Sequence, residues 1–428
     1  MILNFKLSNF KSFNEIQGFS FLVQKRQGVK ILPKNYTEIN GRKVLKSMVL
    51  FGANASGKSN LIKGLEWFKN FVLSSFKNAN DNTGIDFDEF LLNQKNQNLP
   101  ATFELIFLLD KHEYVYNFSV NKSDVVREEL KIVYKSVKTE KIIYSRNKNK
   151  VDVVSKNETR LTAVNILKNN VLFLSVLSAS GDELANKIID KIRKIGVVKN
   201  SRELEKFVGY SLSNYQKYKT KIDQMMCEAD FGINSIKVKS EDLSDDEKLE
   251  ILQKDGVSIK FKEILKNGKG EFRKNYVLTS HFGLNSVGGK IEIDFDLQKE
   301  SDGTQRMFNL SGPIANTLDE GRLLVVDELD AHLHTDLCKF ILLQFHLNNL
   351  TGAQLLFSSH SVSLLDKNIL RRDQILFAEK NKQSESELFS LASLSERDNA
   401  DYAKRYMEGR YGALPYISQL EKYEDENT

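Results

Sequence analysis

Eight consecutive residues, Gly52, Ala53, Asn54, Ala55, Ser56, Gly57, Lys58 and Ser59, follow the pattern G-x-x-x-x-G-K-S, the Walker A spacing of a phosphate cradle, with Asn60 directly behind them. Glycine at both ends of such a loop lets backbone N–H groups turn onto phosphate oxygens where a side chain would block approach. Lys58 then brings a point charge to the β- and γ-phosphates, and Ser59 offers a hydroxyl to Mg²⁺. About 260 residues later, Arg322-Leu-Leu-Val-Val-Asp327-Glu328 is an apolar run closing on two acids, the Walker B pattern. Asp327 is placed to hold Mg²⁺ through water. Glu328, one residue on, is placed to orient and deprotonate an attacking water.

Three further segments carry chemistry of the same kind. In Lys299-Glu-Ser301-Asp-Gly303-Thr-Gln305-Arg306, Ser301 and Gly303 open a helical stretch and could present a hydroxyl and bare N–H groups to a γ-phosphate. On the far end of one core they cannot reach their own Walker A loop, so they would serve the nucleotide of a second protomer. Phe357-Ser-Ser-His360 closes the next apolar strand, where an imidazole can touch the γ-phosphate and sense its loss. Leu329-Asp330-Ala-His-Leu-His334 follows the acids and would lie at the dimer seam.

The elements that must hold these groups are legible in the pattern. Ser47-Met-Val-Leu-Phe51 runs straight into the glycine loop, and Leu61, Leu65, Phe68 and Val72 then recur at helical spacing, so strand, loop and helix follow in order. Residues 2–8 alternate. Between 101 and 154 period-two alternation (Phe103, Leu105, Phe107; Tyr114, Tyr116, Phe118; Ile132, Tyr134; Ile142, Tyr144) predicts an antiparallel meander. Residues 181–230 predict a helical segment too short and irregular for a long coiled coil. Strand signals return at 258–261, 276–279 and 291–295. Strands 323–326 and 354–358 lack polar residues on one or both faces, as buried parallel strands do.

Composition bounds the rest. A chain of 428 residues with 41% hydrophobic content and 27 Phe has room for two or three domains with a sizeable core. No apolar run reaches a membrane span and the start lacks a signal peptide's form, so a cytoplasmic protein with two reduced, buried thiols is expected. The net charge of +5 is mild. Lysines and arginines cluster at 131, 135, 138, 141, 146, 148, 150 and 156, and again at 260, 262, 266, 269, 273 and 274; these read as solvated faces, or else as contacts to DNA or an acidic partner.

N-F-K-S-F (9–13), G-A-N-A-S-G-K-S-N, E-S-D-G-T-Q-R, V-V-D-E-L-D-A-H-L-H and F-S-S-H-S together resemble the ABC-type ATPase heads of the SMC, RecF and RecN class. Within it they look like the OLD-like, abortive-infection branch, similar to RloA and to the ATPase subunit of the PARIS anti-phage system. Supporting stretches are 229–233, 371–375, 379–380 and 405–415. The resemblance implies an α/β, two-lobed ABC-type P-loop NTPase head with an antiparallel β meander and a short helical insertion. The expected divisions are 1–180 (Walker A and meander), 181–255 (helical insertion) and 256–428 (signature, Walker B and switch histidine).

The same resemblance implies an ATPase using ATP and Mg²⁺. Residues 52–60 with Ser301 and Gly303 would bind nucleotide, Ser59 and Asp327 would hold the metal, and Lys58, Glu328 and His360 would be catalytic. Its partners would be a second copy of itself and a separate effector, a nuclease or toxin, because the chain ends too soon for the Toprim nuclease domain of OLD proteins. A DNA-repair ATPase of the RecF kind, acting directly on DNA, is the alternative. Two departures stand out: Asp302 occupies a position where glycine is common, and the glutamine of the Q-loop stays open between Gln94 and the segment 172–175.

Overall fold

The computed structural model describes residues 1–24, 32–77, 84–93, 96, 99–134, 139–154, 157–199, 201–229, 231–253, 259–266, 272–396 and 400–414. Gln94, Lys135, Lys138, Lys156, Asp230, Ser258, Lys269, Pro415 and the acidic tail lie outside them. The chain divides into two compact units, one of residues 1–200 with 317–428 and one of residues 201–316.

The first unit holds two large sheets and a small hairpin. β1 (Ile2–Ser8) and β2 (Gln17–Ser20) join the meander strands in one antiparallel sheet, while β3 (Tyr36–Ile39) and β4 (Arg42–Leu45) pair with each other. The meander is β6 (Ala101–Leu109), β7 (His112–Val120), β8 (Val125–Tyr134), β9 (Thr139–Asn147) and β10 (Lys150–Val153), giving the order β10-β9-β8-β7-β6-β1-β2. The second sheet has the order β11-β15-β16-β5-β17-β18, from β5 (Ser47–Phe51), β11 (Ile195–Val198), β15 (Leu323–Val326), β16 (Gln354–Ser358), β17 (Ile375–Lys380) and β18 (Ser386–Ser390). All its pairings are parallel except β17 with β18. Every residue of β5, β15 and β16 is buried, which explains their unbroken apolar runs.

Helix α1 (Lys58–Ser74) buries Leu61, Leu65, Phe68 and Val72 in one core shared with both sheets. Phe68 stacks on Phe118 of β7 at 5.4 Å and meets Phe5 of β1 edge-on at 5.7 Å. Each such side chain contributes roughly 1.5–3 kcal/mol through burial. The helices α2 (Glu158–Asn165), α3 (Phe173–Ala179) and α4 (Glu183–Arg193) lead from the meander to β11. Later α9 (Thr335–Leu347) joins β15 to β16, and α10 (Tyr402–Met407) follows β18.

One buried carboxylate ties the meander to α3. Glu128 accepts hydrogen bonds from the Tyr116 hydroxyl (3.0 Å), the Tyr144 hydroxyl (2.9 Å) and the backbone N–H groups of Phe173 (2.6 Å) and Leu174 (2.9 Å). Arg146 stands 3.7 Å behind it and donates to the carbonyls of Val171, Lys168 and Asn169. Burial pushes both tyrosines well above the usual phenol range, and the Glu128 charge pushes them the same way. Glu128→Ala would leave Arg146 uncompensated in the core, so we expect a loss of roughly 3–5 kcal/mol, read as a lower midpoint at unchanged slope in urea unfolding.

The second unit is a mixed α/β body. Its strands β12 (Ser235–Asp242), β13 (Arg273–Leu284) and β14 (Lys290–Asp296) form an antiparallel sheet. With them go α5 (Ser201–Glu228), α6 (Asp245–Gln253), α7 (Ile259–Lys266) and α8 (Asp302–Glu320), whose last turn crosses into the first unit's residues. α5 and α8 cross at Ser211 and Gly312; a Cβ at Gly312 would stand 2.5 Å from the Ser211 hydroxyl, so no larger residue fits there without movement.

Several expectations need correcting. The helical stretch 181–230 is interrupted by β11, where the β-branched Ile195, Val197 and Val198 leave the helix and pair with β15. The strand expected at 258–261 is α7 in its described part, where the sequence spacing of apolar residues at 261, 264 and 265 is helical rather than alternating. The boundaries expected after 180 and 255 fall after 200 and 316, since α4 and β11 pack with the first unit and the three-stranded sheet closes on α5. The insertion is therefore not purely helical. Cys338 is buried and Cys227 is exposed, and neither is part of a disulfide.

Four described members of the basic clusters are buried or paired with acids. Arg146 is buried, Lys131 pairs with Glu129 and Glu140, Arg273 with Asp242 and Lys274 with Glu247. Among the described residues no helix is long and apolar enough to cross a membrane.

Candidate nucleotide site

The loop between β5 and α1 is shaped by its two glycines. Gly57 has φ +117°, and a Cβ there would meet the Ser386 hydroxyl at 2.3 Å; Gly52 has φ +151°, and a Cβ there would meet the Ala378 carbonyl at 2.2 Å. Both positions require glycine for conformation and for room. Ser12 of the N-F-K-S-F stretch sits under the turn, accepting from the Asn60 amide at 2.9 Å and bonded to the Ser386 hydroxyl at 2.8 Å. Gly57 is also the N-cap of α1 and offers no side chain to the first-turn amides, so these donors stay open to an anion.

Lys58 folds back along the loop. Its ammonium donates to the carbonyls of Gly52 (2.6 Å) and Ala53 (3.0 Å). Burial pulls it below the usual lysine range, while the charges of Asp327, Glu328 and Asp330 pull the other way. The Ser56 hydroxyl is buried without a hydrogen-bond partner. An orphaned hydroxyl, a glycine-lined cradle and an uncapped helix start are what a phosphate chain would satisfy, so the residues present fit a nucleotide.

β15 and β16 deliver the acids. They are parallel and in register from Leu323 with Gln354 to Val326 with Phe357, so the next residues, Asp327 and Ser358, stand side by side. The Ser358 hydroxyl donates to Asp327 Oδ1 at 2.6 Å and accepts the Glu328 N–H at 2.7 Å. Glu328 has φ +54°, a strained posture for a residue with a Cβ. Asp330 fixes the next turn, its Oδ2 accepting the N–H groups of His360 and Ser361, each at 2.9 Å.

Asn54 to Asn60, Glu328 and His360 line one cup of about 130 Å³. A larger cavity of about 510 Å³ opens beside α1 near Trp67 and Phe71, but none of its lining residues belongs to the loop or to the acids. The chain thus brings together the expected loop, base and histidine, with Asp327 buried beside them through Ser358. Ser301 and Gly303 do not line this cup; they lie in the other unit, where the Ser301 hydroxyl accepts the Thr304 N–H at 3.2 Å and opens α8. Sequence reasoning gave no role to Ser358 and placed Asp330 only at the seam. Their signal was the equal reach of two apolar runs ending at Asp327 and Ser358.

Against known proteins, the family described as "AAA domain, putative AbiEii toxin, Type IV TA system" matches residues 47–366, most of the chain and every element of the cup. The chain belongs to this family. Its members are P-loop nucleotide-binding proteins, in keeping with the cradle above. No curated protein matches the chain. Among solved structures, the SMC head domain from Thermotoga maritima is similar at 12% identity and TM-score 0.44, over 91% of this chain and 98% of that one. The SMC head bound to the C-terminal winged-helix domain of ScpA is similar at 12% identity and TM-score 0.43, over 91% and 97%. An SMC head with an extended coiled coil, bound to the C-terminal domain of ScpA and derived from Pyrococcus furiosus, is similar at 13% identity and TM-score 0.38, over 96% and 98%.

Ser358→Ala removes both bonds that hold the acids in place. We expect turnover to fall roughly 10- to 100-fold, the usual cost of losing a supporting partner, with nucleotide affinity little changed. Steady-state ATPase assays beside equilibrium titration with a fluorescent ATP analogue check this.

Proposed function

We propose that this chain hydrolyses ATP in a site completed by a second copy of itself. The nucleotide state of that pair governs a separate effector, a nuclease or toxin, in bacterial abortive infection, as in the systems of RloA and the PARIS ATPase subunit. The observation that carries the reading is the convergence of the glycine loop, Glu328 and His360 on one cup. The family's description supports the defence setting.

The first-turn N–H groups of α1 and the loop amides take the phosphate oxygens, and Lys58 leaves its two carbonyls to meet the β- and γ-phosphates. Ser59 and Asp327 would hold Mg²⁺, which when bound offsets phosphate charge and orders the oxygens. Glu328 accepts a proton from the attacking water at its carboxylate. His360 meets the γ-phosphate and loses that contact on hydrolysis. Ser301 and Gly303 close the site from the partner copy. Such a protein works in the cytoplasm, where the ATP is.

Mixing two inactive proteins tests the shared site. Lys58→Ala lacks a working cradle but keeps its signature, and Ser301→Arg lacks the signature but keeps its cradle. Mixed pairs contain one complete site, so ATPase activity should return on mixing. Two inactive variants that stay inactive together would sink the composite site. Toxicity that needs both this chain and a co-encoded protein supports effector control, whereas ATP-stimulated DNA binding by the chain alone supports direct action on DNA.

A further inference from the structure

Glu300, the residue just before the signature serine, is anchored to the sheet of the second unit. Its Oε1 accepts the Nε2–H of His281 at 2.8 Å and the hydroxyl of Thr279. Thr279 and His281 are two apart on β13, so both project from the same face. Phe295, paired with Thr279 across β13 and β14, packs edge-on against the His281 ring at 5.3 Å and limits its rotation.

The main chain is held as well. The Glu300 N–H donates to the Leu297 carbonyl at 3.1 Å, and the Glu300 carbonyl accepts the Gln305 amide at 2.9 Å. Only then does the chain emerge, with Ser301 and Asp302 exposed. A carboxylate oxygen suits this position because it receives two donors from one strand while carrying none of its own.

We infer that Thr279, His281 and Glu300 form a clamp that positions Ser301 for the γ-phosphate bound by a second copy of the chain. This rests on the composite-site reading above. None of the three touches nucleotide; they are positioning residues. A hydroxyl that must meet a transferring phosphoryl group has to be held within about 0.5 Å of its place. A turn freed from the sheet leaves the cradle's own grip on nucleotide intact and weakens only the step that needs the partner's serine.

The test uses the full chain and four variants: Glu300→Ala, Glu300→Gln, the double Thr279→Val with His281→Phe, and Ser301→Arg. Each is measured for kcat, for binding of a fluorescent ATP analogue, and for ATP-driven self-association by light scattering in a Glu328→Gln background. Glu300→Ala and the double variant should each lower kcat about tenfold or more and weaken ATP-driven pairing, with analogue affinity within about twofold. Glu300→Gln, whose amide oxygen can still accept both donors but without the negative charge, should recover part of the loss. If Ser301→Arg abolishes turnover while Glu300→Ala and the double variant leave kcat and pairing unchanged, the clamp is wrong and the shared site stands. If Ser301→Arg is itself without effect, the composite-site reading fails. Should Glu300→Ala fold poorly, the double variant, which keeps the carboxylate and swaps the donors for apolar groups of similar shape, decides alone.

Discussion

Glu328→Gln is expected to slow ATP turnover by about 10²- to 10⁴-fold, the span that a positioned general base contributes, while ATP stays bound and the paired form accumulates. Two observations support this. Glu328 lines the cup with the glycine loop, and its backbone is fixed at φ +54° by the Ser358 hydroxyl. The amide keeps the shape and the backbone bond and loses only the capacity to take a proton. Single-turnover assays and light scattering with ATP check both halves. Wild-type turnover in this variant would remove Glu328 from the base role.

The second large effect is at Lys58. Lys58→Met should weaken nucleotide binding by roughly 100-fold, from hydrogen bonds to charged groups each worth about 1.5–3 kcal/mol. The nucleotide-free fold should tolerate it. The ammonium is buried and pulled down by desolvation, and what it gives up are bonds to two loop carbonyls at the rim of the cup. Calorimetric titration with ATP should show lost affinity, and thermal unfolding without nucleotide should show little change. Together they separate a phosphate ligand from a structural lysine; a large drop in unfolding temperature would assign Lys58 to the fold instead.

The pattern of the chain gave away the parts whose signal is local. β5, the glycine loop and α1 are contiguous, the meander alternates over most of its length, β15 is apolar throughout and β16 is apolar between Gln354 and Ser358. What stayed hidden depends on distant pairing. β11 is four residues long and lies between two helices, so its β-branched Ile195, Val197 and Val198 are too short a run to mark a strand until β15 lies beside it. The bond from Ser358 to Asp327 exists because β15 and β16 align in one register, which periodicity does not encode. Likewise Glu300 reads as a surface acid until β13 brings Thr279 and His281 beside it. The mixed composition of residues 201–316 is not legible because strand signals at 276–279 and 291–295 look like further strands of the core, whereas among the described residues they pair with β12 and each other.

The points where the chain leaves for residues 201–316 and comes back also matter. It departs just past β11 and returns through α8 into β15, and those are adjacent parallel strands. At their upper ends the Val198 carbonyl takes the Asp327 N–H at 2.9 Å. The chain therefore leaves for the inserted residues and returns from them through two strands that are hydrogen-bonded to each other, and the second of these ends on the carboxylate beside the phosphate cradle.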